Sequence, residues 1–348
     1  MKNIYQMLAL FMVSFLIVSP SFAQEDSPAD ALDKINVQIS QVNQKYMAYM
    51  SEVAHGTKIK KAEKKHAAFM EQIDNSRYAL ASIPYYKGDK SLHEGTKSYL
   101  QLITNLQREN YSKVINLEEI AEQSYDAMEA YLLFKRKINE RMDLAADERK
   151  TMIETYCTKH NITLVEAKET EEGSKMKKLD AVMDYKEMMF LIFFKASVHE
   201  DQLIEAMNKK NITAMEQIRS TITKYSDEGL QKLDTIKRYN GSDATLKLAL
   251  KRTLDFFKKE AELLDAFTDF QMKEETFNAV KKAFEKNSRA QSDKKEIDKY
   301  NAAINEMNKS SEKLNQVNQQ LNKNRTETYK NWNEANKRFL DTHVPYSK

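Results

Sequence analysis

Apolar residues recur at steps of three and four along most of the chain, with polar and charged residues filling the positions between them. That spacing draws one apolar stripe along a helix. The first stripe is Ile35, Ile39, Val42, Tyr46, Tyr49, Met50 and Val53, opened by Ser27-Pro28 and broken at Gly56. Proline suits the first helical position, where no partner for its nitrogen is needed. A second helix starts near Thr57 and carries Ile59, Ala62, His66, Phe69, Ile73 and Leu80. It stops at Ile83-Pro84, because the residue before proline is pushed out of the helical region. After a turn over 85–90, a third helix bears Leu92, Leu100, Ile103 and Leu106 and runs to about residue 116. The fourth spans about 117 to 160, with Tyr125, Met128, Leu132, Ile138, Met142, Met152 and Tyr156 on one face. The polar run Glu169-Thr170-Glu171-Glu172-Gly173 reads as a linker. It divides a first bundle, 24–172, from a second, 173–348.

One stretch breaks the pattern. Met188-Met189-Phe190-Leu191-Ile192-Phe193-Phe194 is the longest apolar run outside the N-terminus, and it has no polar side. A helix that is apolar all round is buried all round. The run is too short to span a bilayer, which takes about 20 residues. Its neighbours also match the first half of the chain. At a constant offset of 153, Ile35 meets Met188, Ile39 meets Ile192, Ile59 meets Ile212, Leu80 meets Leu233, Ile83 meets Ile236, Tyr86 meets Tyr239 and Gly88 meets Gly241. One residue further on, Leu92 meets Leu246, Leu100 meets Leu254 and Ile103 meets Phe257. The chain ends Tyr156-Cys157-Thr158-Lys159-His160 and Phe339-Leu340-Asp341-Thr342-His343 also correspond, with about 30 extra residues in the second half. These matches predict an internal repeat. Under that alignment the polar Asn36, Gln38, Ser40 and Gln41 are replaced by Met189, Leu191, Phe193 and Phe194. Those four apolar residues mark an expected interface, made with the other bundle, with the extra segment or with a protein partner.

The last helix, from about 293 to 340, is the most regular. Asp293 and Glu296 offer a capping-box-like start. Tyr300, Ile304, Met307, Ser311, Leu314, Asn318, Leu321, Arg325, Thr328, Trp332, Ala335 and Phe339 then alternate steps of four and three, a heptad seam. At 1.5 Å per residue the helix is about 70 Å long. The partly polar seam fits a long bundle helix with wet layers, and other helices of the same chain are available to pack on it.

Composition supports the helical reading. The chain has only 6 Gly and 4 Pro, whereas sheet proteins need both at many turns. The fold class expected is all-α: two tandem antiparallel helical bundles with long, coiled-coil-like helices. The N-terminus predicts an address. Lys2, the apolar segment from Ile4 to Val18 and small residues at Ser21 and Ala23 form a signal peptide over 1–23, cleaved before Gln24. Export places the protein in the periplasm or at the cell surface, where disulfides form. Cys157 is the only cysteine, so no internal disulfide is possible and its role is that of a small buried hydrophobe. The net charge of +3 is too small to imply a nucleic-acid partner.

The candidate chemistry is sparse. Glu52/His55 and Glu63/His66 have the three-residue spacing of helical di-iron sites. Such sites draw their pairs from separate helices with two further glutamates, whereas these flank one turn, so neither metal nor cofactor is expected. His199-Glu200-Asp201 reads as a charged helix surface. No nucleophile elbow, phosphate loop or zinc signature is present, and a non-enzymatic protein is expected. Tyr86 and Tyr239, beside the glycine turns, are expected to pack the bundle ends.

Three motifs carry a resemblance. Tyr86-Lys87-Gly88-Asp89-Lys90-Ser91-Leu92, Thr158-Lys159-His160-Asn161-Ile162 and Phe339-Leu340-Asp341-Thr342-His343-Val344-Pro345 resemble a family of uncharacterised, exported all-helical proteins of Bacteroidetes-type and spirochaete bacteria, known only as surface proteins. Lipidated members carry a cysteine after the signal, where this chain has Gln24. The resemblance implies no catalytic residues. The expected function is that of an exported binding or structural protein of the bacterial cell envelope, acting through helical surfaces. The alternative is a membrane-active helical protein that uses the apolar helix 188–194.

Overall fold

A computed structural model of the chain describes residues 16–17, 27–56, 58–121, 124–165, 171–286 and 293–347. These form helices α1 (Pro28–His55), α2 (Ile59–Ser82), α3 (Ser91–Ala121), α4 (Tyr125–Lys159), α5 (Glu171–Asn208), α6 (Ile212–Thr235), α7 (Thr245–Leu263), α8 (Asp265–Lys286) and α9 (Lys294–His343). The fold is all-α, built from antiparallel helical bundles. The one strand pairing among the described residues joins Leu16–Ile17 to Leu164–Val165. The rest of the expected signal segment, and positions 169 and 170 of the expected linker, lie outside the described residues.

Helix starts follow side chains that satisfy the orphan N–H groups of the first turn. Ser27 Oγ accepts from the Asp30 N–H at 3.1 Å, and the Asp30 carboxylate accepts from the Ser27 N–H at 3.0 Å. This is a full capping box with Pro28 inside it. Ser124 caps α4 through the Ala127 N–H at 3.2 Å, and Asn211 caps α6 through the Ala214 N–H at 3.1 Å. Asp293 opens α9 by accepting from the Lys295 N–H at 2.9 Å. The Ser124 cap also explains where α3 ends. Nothing near residue 116 breaks the helix, so α3 continues to Ala121.

The expected linker is helical at its far end. α5 begins at Glu171, and Gly173 is a buried helical residue. A single glycine costs a helix only about 1 kcal/mol against alanine, and Glu171 pairs with Lys175 one turn on at 2.5 Å. The compact units therefore divide elsewhere than at 172/173. The described residues up to Glu187, with those from Lys337 onward, form one unit, and Met188–Asn336 form the other. The boundary falls inside two continuous helices, α5 and α9, which need no turn residues there.

The first unit packs α1 extensively on α2 and α3 on α4. Its core is the predicted stripe: Ile35, Ile39, Tyr46, Phe69, Ile73, Leu92, Leu100, Ile103, Met142 and Tyr156 are all fully buried, and Leu32 joins them. Asp89 ties α4 to the turn before α3. It accepts from Lys159 Nζ and faces His160 Nε2, both at 2.8 Å. The Lys159 bond, helped by the Ser91 N–H, holds its carboxyl well below the usual carboxylate range.

In the second unit, α6 packs on α7 around Ile222, Leu246, Leu250, Leu254 and Phe257. Gly229 permits the closest approach. A Cβ there would sit 3.0 Å from both Ile192 and Leu254, tighter than side chains normally tolerate. α8 and the first half of α9 form a helical hairpin, joined by Phe284 stacked on Tyr300 at 4.7 Å and by Lys273–Glu306 at 3.1 Å. No described residue from 267 to 309 is fully buried.

Two segments 153 residues apart share their geometry. α2 and α6 are each 24 residues long. Both end on an isoleucine, Ile83 or Ile236, whose N–H reaches back to a leucine carbonyl. Both are followed by two left-handed residues, Lys87 (φ 47°) and Gly88 (φ 76°), then Asn240 (φ 48°) and Gly241 (φ 75°). The exposed isoleucine carbonyl is capped from the next helix in each case, at 2.9 Å from His93 and 2.7 Å from Lys247.

Candidate functional site

The apolar run on α5 does not lie at a free surface. Met189 is fully buried, Phe193 and Phe194 are buried, and Leu191 is half-buried. Phe193 stacks on Trp332 of α9, with ring centroids 4.8 Å apart and planes 17° apart. It also meets Tyr329 of α9 edge-on at 5.9 Å and Phe257 of α7 at 6.5 Å. Phe194 packs against Phe190 at 5.7 Å. Phe193 is thus covered by α9 of its own unit. The opposite side of the run is less enclosed: Met188, Phe190, Leu191 and Lys195 are half-buried.

Next to this aromatic cluster lies a buried charged layer. Glu200 of α5 is 1% exposed and Glu260 of α7 is 0% exposed, which corrects the surface reading of His199-Glu200-Asp201 at Glu200 alone: Asp201 is exposed and His199 half-buried. Arg325 of α9 reaches both. Its Nε donates to Glu200 Oε1 at 2.5 Å, and its Nη2 donates to Glu260 Oε1. Tyr329 donates its hydroxyl to Glu200 Oε2 at 2.5 Å. Glu260 Oε2 is buried with no hydrogen-bond partner among the described residues. Burial pushes the Glu260 carboxyl up to about 8, and the neighbouring Glu200 carboxylate pushes the same way against the pull of Arg325. Burial and Glu200 likewise drive the Tyr329 hydroxyl far above its ordinary value. Two carboxylates against one guanidinium leave one negative charge to be neutralised, and a proton on the pair does so.

The sequence held one sign of this layer. Arg325 occupies an apolar position of the α9 seam, and a cation there needs a buried anion. Every other seam residue named above is buried or half-buried.

The first unit holds a second acid, half-buried, with one carboxylate oxygen out of contact with water. Asp180 of α5 has a buried Oδ2 with no hydrogen-bond partner among the described residues, as has Oδ1 of Asp143 of α4. Burial pushes Asp180 up to about 8, reinforced by Asp143 and Asp184. The folded value lies above the ordinary 3.8. The stability contribution is thus complete below about pH 4 and is lost as pH rises through about 8. Asp180→Asn removes this loss. It is expected to raise stability by about 1–3 kcal/mol at pH 8 and by little at pH 4, as measured by urea denaturation at the two pH values.

The histidine pairs do not converge. His55 Nδ1 faces Asp341 at 3.0 Å, Nε2 faces the Val344 carbonyl at 3.1 Å, and the ring stacks on Tyr346 at 3.7 Å. With the Ser347 N–H on Ser51 Oγ at 3.0 Å, this fastens the C-terminal segment to α1. His66 Nε2 lies 3.2 Å from Gln107 Oε1. Among the described residues no group of three or more His, Cys, Asp or Glu is placed to hold a metal ion. Cys157 is buried, and burial raises its thiol to about 11. Tyr86 packs edge-on against His160 at 5.1 Å, and Tyr239 is buried. A surface groove of about 360 Å³ lies close to the second turn, lined by Leu233, Arg238, Lys247 and Leu248. No described helix is long and apolar enough to cross a membrane.

Fold and site together define an all-α helical-bundle protein with a carboxylate–guanidinium layer in its second unit. No protein-family model, curated protein or solved structure matches the chain.

Proposed function

We propose that this is an exported, non-enzymatic protein of the bacterial cell envelope, built by duplication of one helical unit, that binds a protein partner through helical faces. The α8–α9 hairpin carries this reading. Phe270, Phe277, Phe284, Ile304 and Met307 are only half-buried in it, and Met272 is 64% exposed. Two helices packed on each other shield one face each, and apolar side chains left half in water favour a further helix. The matched C-terminal ends and turns of α2 and α6 support the duplication. The signal-like N-terminus and the surface-protein resemblance support the address.

A photo-crosslinking residue at Met272, introduced in the native bacterium, tests the proposal. The expected result is one dominant adduct with an envelope protein and fractionation of the chain with the envelope or medium. Adducts spread over many proteins, or a cytoplasmic chain that keeps residues 1–23, would overturn it. Binding of the purified protein to lipid vesicles without any protein adduct would favour the membrane-active alternative.

A further inference from the structure

We propose that Glu200, Glu260, Arg325 and Tyr329 form a proton-dependent latch, which holds α9 against α5 and α7 in the second unit and lets it go when Glu260 loses its proton. The inference is independent of the envelope reading. Three helices meet at this layer, each contributing charge: α5 brings Glu200 and Asp201, α7 brings Glu260, and α9 brings Arg325 and Tyr329. Among the described residues no titratable group of α6 acts on Glu260. With one proton on the glutamate pair, the layer is neutral and Arg325 bridges both partners. Without it, two carboxylates crowd one guanidinium out of contact with water, with Asp201 adding a third negative charge nearby. Like charges in a low-dielectric site repel strongly, and the only relief is to bring water in.

The direction of the switch follows from the burial of Glu260. Its folded-state value is about 8 against an ordinary 4.5. The contribution of this group is complete below about pH 4.5 and is lost as pH rises through about 8. Tyr329 does not set the threshold, because its hydroxyl is driven far beyond that range. α9 is the element that yields. It meets the layer through one seam, and along its outer half, toward Lys294, no residue before Ser310 is fully buried. α5 and α7 are held by α6 as well, at Gly229 against Ile192 and Leu254.

A reporter is built in. Trp332 is the only tryptophan, is 4% exposed and stacks on Phe193 two helical turns from Arg325. Its emission, followed across about pH 6 to 9.5, is expected to shift to the red with a midpoint near pH 8. Glu260→Gln keeps an acceptor for Arg325 but carries no titrating proton, and its emission should stay blue throughout. No shift in the wild-type chain, or the same transition in Glu260→Gln, would overturn the latch. Should Glu260→Gln fail to fold, hydrogen exchange of the wild-type chain decides. After correction for the intrinsic pH dependence, protection of 318–336 should fall at least tenfold above pH 8 relative to α2, and uniform protection would reject the proposal.

Discussion

Phe193→Asp is expected to unfold the second unit. The side chain is 8% exposed and touches rings from two other helices, Trp332 and Tyr329 of α9 and Phe257 of α7. Removing a buried phenyl ring costs about 3–5 kcal/mol by itself. The new carboxylate would also be buried without a cation, because Arg325 is already committed to Glu200 and Glu260. The combined loss, at least about 5 kcal/mol, rivals the whole stability of a typical domain. Urea denaturation followed by Trp332 emission measures it. Leu191→Asp is the control. That side chain is half-buried, and about 1–2 kcal/mol is expected there. A Phe193→Asp variant within about 1 kcal/mol of the wild type would mean that the aromatic contact is not the unit's core.

The contrast between these residues shows what hydropathy patterning conveys. The stripe Ile35, Ile39, Val42, Tyr46 was legible, and all four are buried, because three-and-four spacing follows directly from the helical repeat. The run 188–194 read as buried on every side, and it is so at Met189, Ile192, Phe193 and Phe194, whereas Met188, Phe190 and Leu191 are half-buried. Which element covers it was not legible, since Phe193 and Trp332 lie on helices distant in sequence and no local spacing links them. The charged layer was less visible still. Glu200 stands beside His199 and Asp201, which look like solvated neighbours, and its partner Arg325 is 125 residues away. Periodicity detects apolar positions and is silent about a charge buried against another charge. At 171–173 the linker reading took composition for geometry. Polar residues with one glycine suit a loop, but Glu171 and Lys175 also suit successive turns of a helix, and tertiary packing of α5 decides between them.

Arg325→Met should destabilise the second unit by about 3–5 kcal/mol at neutral pH, the cost of leaving buried acids without their cation. That figure alone does not show that the layer stabilises anything, because a broken charge network is worse than none. The first unit supplies the comparison. Under the proposed duplication, with offsets of 153 and 154, Glu200 and Glu260 correspond to Met47 and Leu106, which are 2% and 5% exposed. Across α1 and α4, Asn36 bonds Arg149 and Tyr156 bonds the Pro28 carbonyl. At the offset of 183 that pairs Tyr156 with Phe339, Arg325 falls opposite Met142, which is 0% exposed. One unit thus has three apolar side chains where the other has two acids and a guanidinium. Transplanting the first unit's residues as Glu200→Met, Glu260→Leu and Arg325→Met, with Tyr329→Phe because its hydroxyl would lose Glu200, is expected to restore stability to within about 1–2 kcal/mol of the wild type or to exceed it. The variant should also lose the stability change between about pH 4.5 and 8 that Glu260 imposes. Urea midpoints at several pH values test both outcomes. If the apolar variant is at least as stable and no longer senses pH, the charged layer does not serve stability, and the second unit retains it for the release of α9. If the variant is several kcal/mol weaker, the layer is structural and its titration is incidental to holding the helix in register.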